Sequence, residues 1–193
     1  MIDTDNLFQN TNGVLVLDVQ FDASILKSEL NELLLDQRAA DAWKTFSQMG
    51  LTYRKGTPED LIFHDACGSL YDKNTKKMVG YTADFTEMSS NMSYLNYAIS
   101  RVRTIASTYG RELGRVRFMK QEPKTCLSLH RDLDEFRFHV PIQTANTAFF
   151  IVDDQVCRMP REGIMYLLNT KVLHTAVNAD YSKSRIHLLF DTH

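Results

Sequence analysis

A series of short, strand-like segments in the second half of the chain constrains the fold more than any other feature. Turn-forming residues such as Pro123, Asp153, Asp154, Pro160 and Asn178 separate these segments. The apolar patterns predict strands at 114–120, 126–131, 136–143, 147–152, 155–158, 164–169, 173–178 and 184–191. Many short strands joined by polar turns are typical of a sandwich or a barrel. About eight of them fit a double-stranded β-helix, also called a jelly roll or cupin-type barrel.

Helical patterns dominate the first half of the chain. Residues 14–20, VLVLDVQ, predict one strand because they are rich in β-branched side chains. A helix follows, which Asp22 or Ser24 could cap, and a second helix is predicted at 40–48. Residues 92–108 predict a third helix, since apolar residues recur there at spacings of three and four.

The two patterns together predict one domain of the α+β class, mainly β, over residues 1–193. Its 193 residues are enough to bury a proper core. Residues 1–110 are expected to form a helix-rich support region, with a helical layer that packs on one sheet. Residues 111–193 are expected to form the double-stranded β-helix core and to carry the functional site.

Composition and charge indicate which kinds of molecule the protein is not expected to bind. Hydrophobic residues make up 44% of the chain, and the net charge of −2 gives no general attraction to nucleic acid. Cys67, Cys126 and Cys157 are widely spaced, which favours a reducing compartment. The first residues do not resemble a signal peptide, and no apolar run is long enough to span a membrane. We therefore expect a cytoplasmic protein with neither nucleic acid nor membrane as a partner; the oligomeric state stays open.

The motif His130-Arg131-Asp132 is the sharpest chemical feature. In a strand, residues two apart project to the same side, so an imidazole and a carboxylate could share one metal ion. With the distant His174 they would form the two-histidine, one-carboxylate triad of non-haem Fe(II) oxygenases, which leaves three coordination positions open. The motif alone is weak evidence, because isolated His–Asp pairs are often surface hydrogen bonds.

Arg185 stands eleven positions after His174, inside the apolar segment SRIHLLFD. A buried guanidinium needs an anionic partner, and a carboxylate held through two hydrogen bonds is a natural one. A salt bridge to a protein carboxylate is the alternative. Arg137 and His139 share one strand face, as Arg185 and His187 do, which predicts a polar barrel interior; a solvated outer face is the other possibility.

Three runs of residues carry a resemblance to a known family. HRDLDEFRFHVPIQT, MPREGIMYLLNTKVLHTAVN and SRIHLLFD occur in this order between residues 130 and 191. Together they resemble the aspartyl/asparaginyl β-hydroxylase superfamily of 2-oxoglutarate- and Fe(II)-dependent oxygenases, which includes bacterial proline hydroxylases. The order of the HxD, R-x-H-x-P, distant histidine and final arginine is specific, while the first 110 residues add only a compatible helical layer.

The resemblance implies a role for each candidate residue. His130, Asp132 and His174 would bind iron and form the catalytic centre, and Arg185 would hold the distal carboxylate of 2-oxoglutarate. Arg137 and His139 would contact either the cosubstrate or the substrate, and Ser128 could assist because it shares a predicted strand face with His130.

The implied activity is a dioxygenase reaction that uses Fe(II), 2-oxoglutarate as cosubstrate and dioxygen. The expected substrate is a free amino acid, as a small molecule, or an amino-acid residue in a peptide or protein. The sequence does not identify the position that is hydroxylated. Two alternatives remain. One is a metal-binding cupin of other activity, against which Arg185 argues. The other is a non-catalytic module that binds 2-oxoglutarate or a peptide, against which the complete set of metal ligands argues.

Overall fold

The computed structural model describes residues 11, 13–132 and 136–193. The strands are β1 Val14–Gln20, β2 Gln48–Gly50, β3 Thr52–Arg54, β4 Tyr71–Asp72, β5 Lys77–Met78, β6 Phe85–Met88, β7 Leu113–Gln121, β8 Thr125–Cys126, β9 Phe136–Gln143, β10 Ala148–Val152, β11 Gln155–Cys157, β12 Ile164–Asn169, β13 His174–Asn178 and β14 Arg185–Thr192. The helices are α1 Ala23–Leu33, α2 Gln37–Phe46 and α3 Ser93–Thr108, and the short 3-10 turns are Glu59–Leu61 and Thr82–Asp84. None of the helices in these ranges is both long and apolar enough to cross a membrane.

Two antiparallel sheets form the body of the protein. The larger has the strand order β1-β12-β9-β14-β7-β2, and the smaller has the order β11-β10-β13-β8. Their inner faces meet, because Phe150 and Val152 of β10 pack in one cluster with Tyr166 and Leu168 of β12. The predicted mainly β, cupin-type jelly roll is confirmed.

The central strand β14 of the larger sheet is buried on both faces. Ile186, Leu188 and Phe190 join the apolar core on the side of the helices, and Leu26 of α1 and Ile99 of α3 belong to the same core. The intervening residues of β14 project to the opposite side, into the space between the two sheets. The apolar face therefore anchors the strand, and the other face is free to carry chemistry.

The helical layer forms where the sequence predicts it. Asp22 caps α1, since its Oδ1 accepts hydrogen bonds from the backbone N–H groups of Ser24 at 2.9 Å and Ile25 at 3.2 Å. The second helix begins at Gln37 and not at 40, because the side chain of Asp36 caps it by accepting from the N–H of Arg38 at 2.8 Å.

The division of the chain at residue 110 stays a prediction. The larger sheet nevertheless takes strands from both sides of this position, since β1 pairs with β12 and β2 pairs with β7. The first part of the chain thus contributes strands to the barrel in addition to its helices.

The predicted strand at 126–131 is wrong for most of its length. Only Thr125–Cys126 form a strand, and His130 makes an isolated bridge to His174. Leu127 N–H donates to the carbonyl of Ala176 at 3.0 Å, so Ser128 and Leu129 together oppose the single residue Thr175. This extra residue is a β-bulge, which interrupts the alternation of faces before the metal motif.

Phe138 tests the phase of β9. Its side chain is fully buried and packs edge-on against Tyr109 and Phe136. We expect Phe138→Ala to lower the free energy of unfolding by about 3–5 kcal/mol, as truncation of a buried aromatic ring does. Urea denaturation measures this change, with Tyr97→Ala on the exposed face of α3 as the control; a midpoint as high as that of the wild type would contradict the packing.

Candidate metal centre

Three donors that could hold a metal lie together at one end of the barrel. The ligand atoms of His130, Asp132 and His174 all lie within 4.8 Å of one another. Asp132 Oδ1 is 3.7 Å from His130 Nε2, and Asp132 Oδ2 is 3.7 Å from His174 Nε2. The backbone fixes this arrangement, because His130 and His174 exchange N–H···O bonds and Asp132 N–H donates to the carbonyl of Thr170 at 3.0 Å.

Both imidazole rings use Nδ1 in a hydrogen bond to the backbone, which leaves Nε2 for a metal. His130 Nδ1 donates to the carbonyl of Ser128 at 2.6 Å, and His174 Nδ1 donates to the carbonyl of Val172 at 3.0 Å. A carbonyl can only accept, so each Nδ1 carries a proton, and in a neutral ring the lone pair then lies on Nε2. Burial lowers the pKa of His174, which favours the neutral ring. Two imidazole nitrogens and one carboxylate oxygen suit Fe(II) with open positions.

Arg137 fixes the orientation of the Asp132 carboxylate. Its terminal nitrogen lies 2.7 Å from Asp132 Oδ2, and its Nε donates to Asp191 Oδ1. Asp132 Oδ1 is then available to a metal, while Oδ2 forms an ion pair with the Arg137 guanidinium. Asp191 is not among the candidate site residues predicted from the sequence. Its position in an apolar strand, on the same face as Arg185, could nevertheless have indicated a buried ion pair.

Arg185 is buried in the interior without a counter-charge among the residues that the structure describes. It is 4% exposed, and neither its Nε nor its NH1 has a hydrogen-bond partner there. The guanidinium lies over the ring of Phe150, 4.6 Å from the centroid. Burial lowers the pKa of Arg185 to about 9, so the group is still a cation at neutral pH. A buried, unpaired cation of this kind needs an anionic ligand.

His139 and His187 lie beside this cation in the same interior. Their Nδ1 atoms are 3.2 Å apart, so one ring donates to the other, and both Nε2 atoms are buried without a partner in the described part of the chain. The ring of Phe150 contacts both imidazoles as well as Arg185. The predicted polar barrel interior is confirmed, and Phe150, whose sequence pattern indicates only core, forms its apolar wall.

The two buried imidazoles give a pH dependence with a definite sign. Burial holds the pKa of both His139 and His187 well below the ordinary value of 6.5. Unfolding therefore takes up a proton at each ring once the pH falls below about 6.5, and stability decreases by up to about 1.4 kcal/mol per pH unit for each. The unfolding free energy between pH 7 and 5 measures this. His187→Asn should reduce the pH dependence of the unfolding free energy by about one proton. An unchanged dependence would contradict the conclusion that His187 is buried as a neutral ring.

Ser128 is not brought into this group. Its side chain is exposed, and only its carbonyl takes part, as the acceptor for His130 Nδ1. The bulge at Ser128 and Leu129 accounts for this placement, because a shared face requires uninterrupted alternation up to His130.

The fold and these donors define a class of protein, a cupin-type barrel with a His/Asp/His site at one end and a buried arginine in its interior. The family model for aspartyl/asparaginyl beta-hydroxylase matches residues 21–193, so the chain belongs to this family. The family resemblance of the motifs is thereby confirmed. Membership in a hydroxylase family also supports the prediction that the protein is an enzyme.

A curated relative agrees with the assignment to this family. L-proline cis-3-hydroxylase 1 from Streptomyces sp is 27% identical over 147 residues, which is 72% of this chain and 49% of that protein. The chain thus spans about half the length of this curated relative.

Two of the solved structures that share the fold illustrate the likeness. One is an oxidoreductase of the 2OG-Fe(II) oxygenase family from Burkholderia pseudomallei, with a TM-score of 0.57, 14% identity and coverage of 97% of this chain and 87% of that one. The other is the viral collagen prolyl hydroxylase of Paramecium Bursaria Chlorella virus-1, with a TM-score of 0.56, 7% identity and coverage of 93% and 88%.

Proposed function

We propose that this protein is a 2-oxoglutarate- and Fe(II)-dependent dioxygenase that hydroxylates an amino acid or an amino-acid residue in a peptide or protein. One observation carries the proposal: three potential metal ligands occur in the same barrel interior as a buried arginine that has no counter-charge among the described residues. A metal alone would require only the donors, whereas a cosubstrate with a distal carboxylate also requires the cation.

The metal ligands in this proposal are His130, Asp132 and His174. With dioxygen and 2-oxoglutarate, bound Fe(II) would supply oxidative decarboxylation to succinate and carbon dioxide, coupled to oxidation of the substrate. The chain's own contribution at this end is to present both Nε2 lone pairs and one carboxylate oxygen on the same side. Its backbone carbonyls at Ser128 and Val172 keep both rings in that tautomer.

Arg185 would hold the distal carboxylate of 2-oxoglutarate through its planar fork. Phe150 covers the guanidinium and keeps water from competing for it. Because His139 shares the Phe150 wall with Arg185, we assign His139 to the cosubstrate. Arg137 contacts Asp132 and Asp191, so we assign it to the metal ligand and the substrate side.

The direct test follows succinate formation. Purified protein is stripped of metal, loaded anaerobically with Fe(II) and 2-oxoglutarate, mixed with a candidate amino acid or peptide substrate, and exposed to air. We expect succinate only when both are present. If the protein binds Fe(II) and leaves 2-oxoglutarate unbound and unconverted, it is a cupin of other activity. If it binds both and forms no succinate with any amino acid or peptide, it is a non-catalytic module.

A further inference from the structure

Three arginines converge on one buried carboxylate beside the metal donors. Asp191 Oδ2 accepts from Arg115 Nε at 2.9 Å and from Arg117 NH1 at 2.5 Å, and Asp191 Oδ1 accepts from Arg137 Nε. Arg115 is 5%, Arg117 3% and Asp191 1% exposed. This arginine cluster, defined as Arg115, Arg117, Arg137 and Asp191, has no part in the roles assigned above except through Arg137.

The cluster carries more positive than negative charge. Even if Asp132 fully matches Arg137, Arg115 and Arg117 share the single carboxylate of Asp191. The Nε of Arg117 has no hydrogen-bond partner within 13–132 and 136–193. Burial of a guanidinium without its own anion is costly, and proteins rarely keep such a group unless something else pairs with it.

The proposed metal and cosubstrate do not correct this excess. Fe(II) and 2-oxoglutarate carry equal and opposite formal charges, so their binding leaves the total charge of the interior unchanged. Both carboxylates of the cosubstrate also have partners already in the proposed function. The distal one would bind Arg185 and the other would bind the metal, so neither is left for Arg115 and Arg117.

The cluster is positioned where a substrate would meet the metal. Arg137 bridges Asp132 and Asp191, which places the cluster at the metal end of β14 and away from Arg185. The same end is open to solvent, since the side chains of His130 and Asp132 are 36% and 19% exposed. The carbonyl of Gly68 accepts from Arg115 NH1 at 3.3 Å, so the segment before β4 lies against the cluster.

We infer that Arg115 and Arg117 form a second anion site, which binds a carboxylate of the primary substrate. This inference rests on the proposed function and narrows its substrate class to amino acids or peptides that present a free carboxylate near the oxidised carbon. A planar guanidinium donates two parallel hydrogen bonds to a carboxylate, which orients the substrate as well as attracting it.

The test uses protein loaded anaerobically with Mn(II) and 2-oxoglutarate, so that no turnover occurs. L-Proline and L-aspartate are titrated calorimetrically, each beside the amide in which an uncharged group replaces every carboxylate, L-prolinamide and L-aspartic acid diamide. At least one carboxylate should bind, and its amide should bind at least about tenfold more weakly. Arg117→Met should weaken the carboxylate by a similar factor, while Arg103→Met, which removes an exposed arginine of α3, should not.

A second measurement separates a binding site from a purely structural tie. In unliganded protein, Asp191 keeps Arg115 and Arg137 when Arg117 is replaced by methionine. If Arg117 is the excess cation, Arg117→Met should therefore unfold at the same or a higher temperature than the wild type. A clearly lower midpoint would show that Arg117 serves the fold and would overturn the inference, as would carboxylates that bind no better than their amides.

The two proposals fail in different ways. If the protein does not bind 2-oxoglutarate with Mn(II), the proposed function is contradicted. The carboxylate titrations of the unloaded protein then still decide whether the arginine cluster is an anion site.

Discussion

Arg185→Ala should weaken 2-oxoglutarate binding by about two to four orders of magnitude. The guanidinium is buried, has no partner at Nε or NH1 among the described residues, and lies under Phe150 in an interior with little access to water. Without it, the distal carboxylate would be buried unpaired, at a cost of about 3–5 kcal/mol. At about 1.4 kcal/mol per decade, this gives the expected change in Kd.

Calorimetric titration of 2-oxoglutarate into the Mn(II)-loaded protein measures this Kd. Arg185→Lys should recover only part of the affinity, because an ammonium is a point charge and lacks the planar fork. Metal content should barely change in either variant, and Arg158→Ala, which removes an exposed arginine, is the matched control. If Arg185→Ala binds 2-oxoglutarate as tightly as the wild type, the cosubstrate is held elsewhere or the protein does not use it.

The strands that could be predicted from sequence are those in which the apolar period is uninterrupted. β9 matches its prediction at 136–143, and β14 is displaced by a single residue. In β14 the same period places Arg185 and His187 opposite an apolar face, so a two-residue repeat was enough to predict the polar interior. Periodicity works here because each face of the larger sheet packs against a different layer.

The failures have local causes. The bulge at Ser128 and Leu129 inserts one residue, and no periodic pattern reveals where an insertion falls. Between residues 51 and 90, the short strands and 3-10 turns are too brief to establish a period.

The arginine cluster was missed for a different reason. Arg115 and Arg117 lie on β7, while Asp191 lies on β14, and only the pairing of these strands brings them together. In sequence, Arg-Val-Arg in a strand is equally typical of a solvated face. The metal donors were easier to predict because two of the three belong to one short motif.

Replacing any one of His130, Asp132 and His174 by alanine should abolish succinate formation while the fold persists. Each residue contributes one donor to a group in which all ligand atoms lie within 4.8 Å. Two remaining donors bind a metal too weakly to retain the open-site geometry. Loss of a residue that only hydrogen-bonds to a metal ligand lowers metal affinity by roughly 10–100-fold, and we expect a larger loss here. Metal titration and a succinate assay measure the two effects separately.

The three variants should differ in stability, and this difference tests the geometry independently of activity. His130 is partly exposed, so His130→Ala should unfold close to the wild-type temperature, whereas His174 is buried and its removal leaves a cavity. Asp132→Ala leaves Arg137 bound to Asp191, so the guanidinium keeps one carboxylate. His64→Ala, which removes a histidine that pairs with Asp41 in the helical region, is the control for loss of an imidazole. If all three variants bound metal and formed succinate as the wild type does, these residues would not be the metal ligands, and the site would have to be sought elsewhere in the barrel.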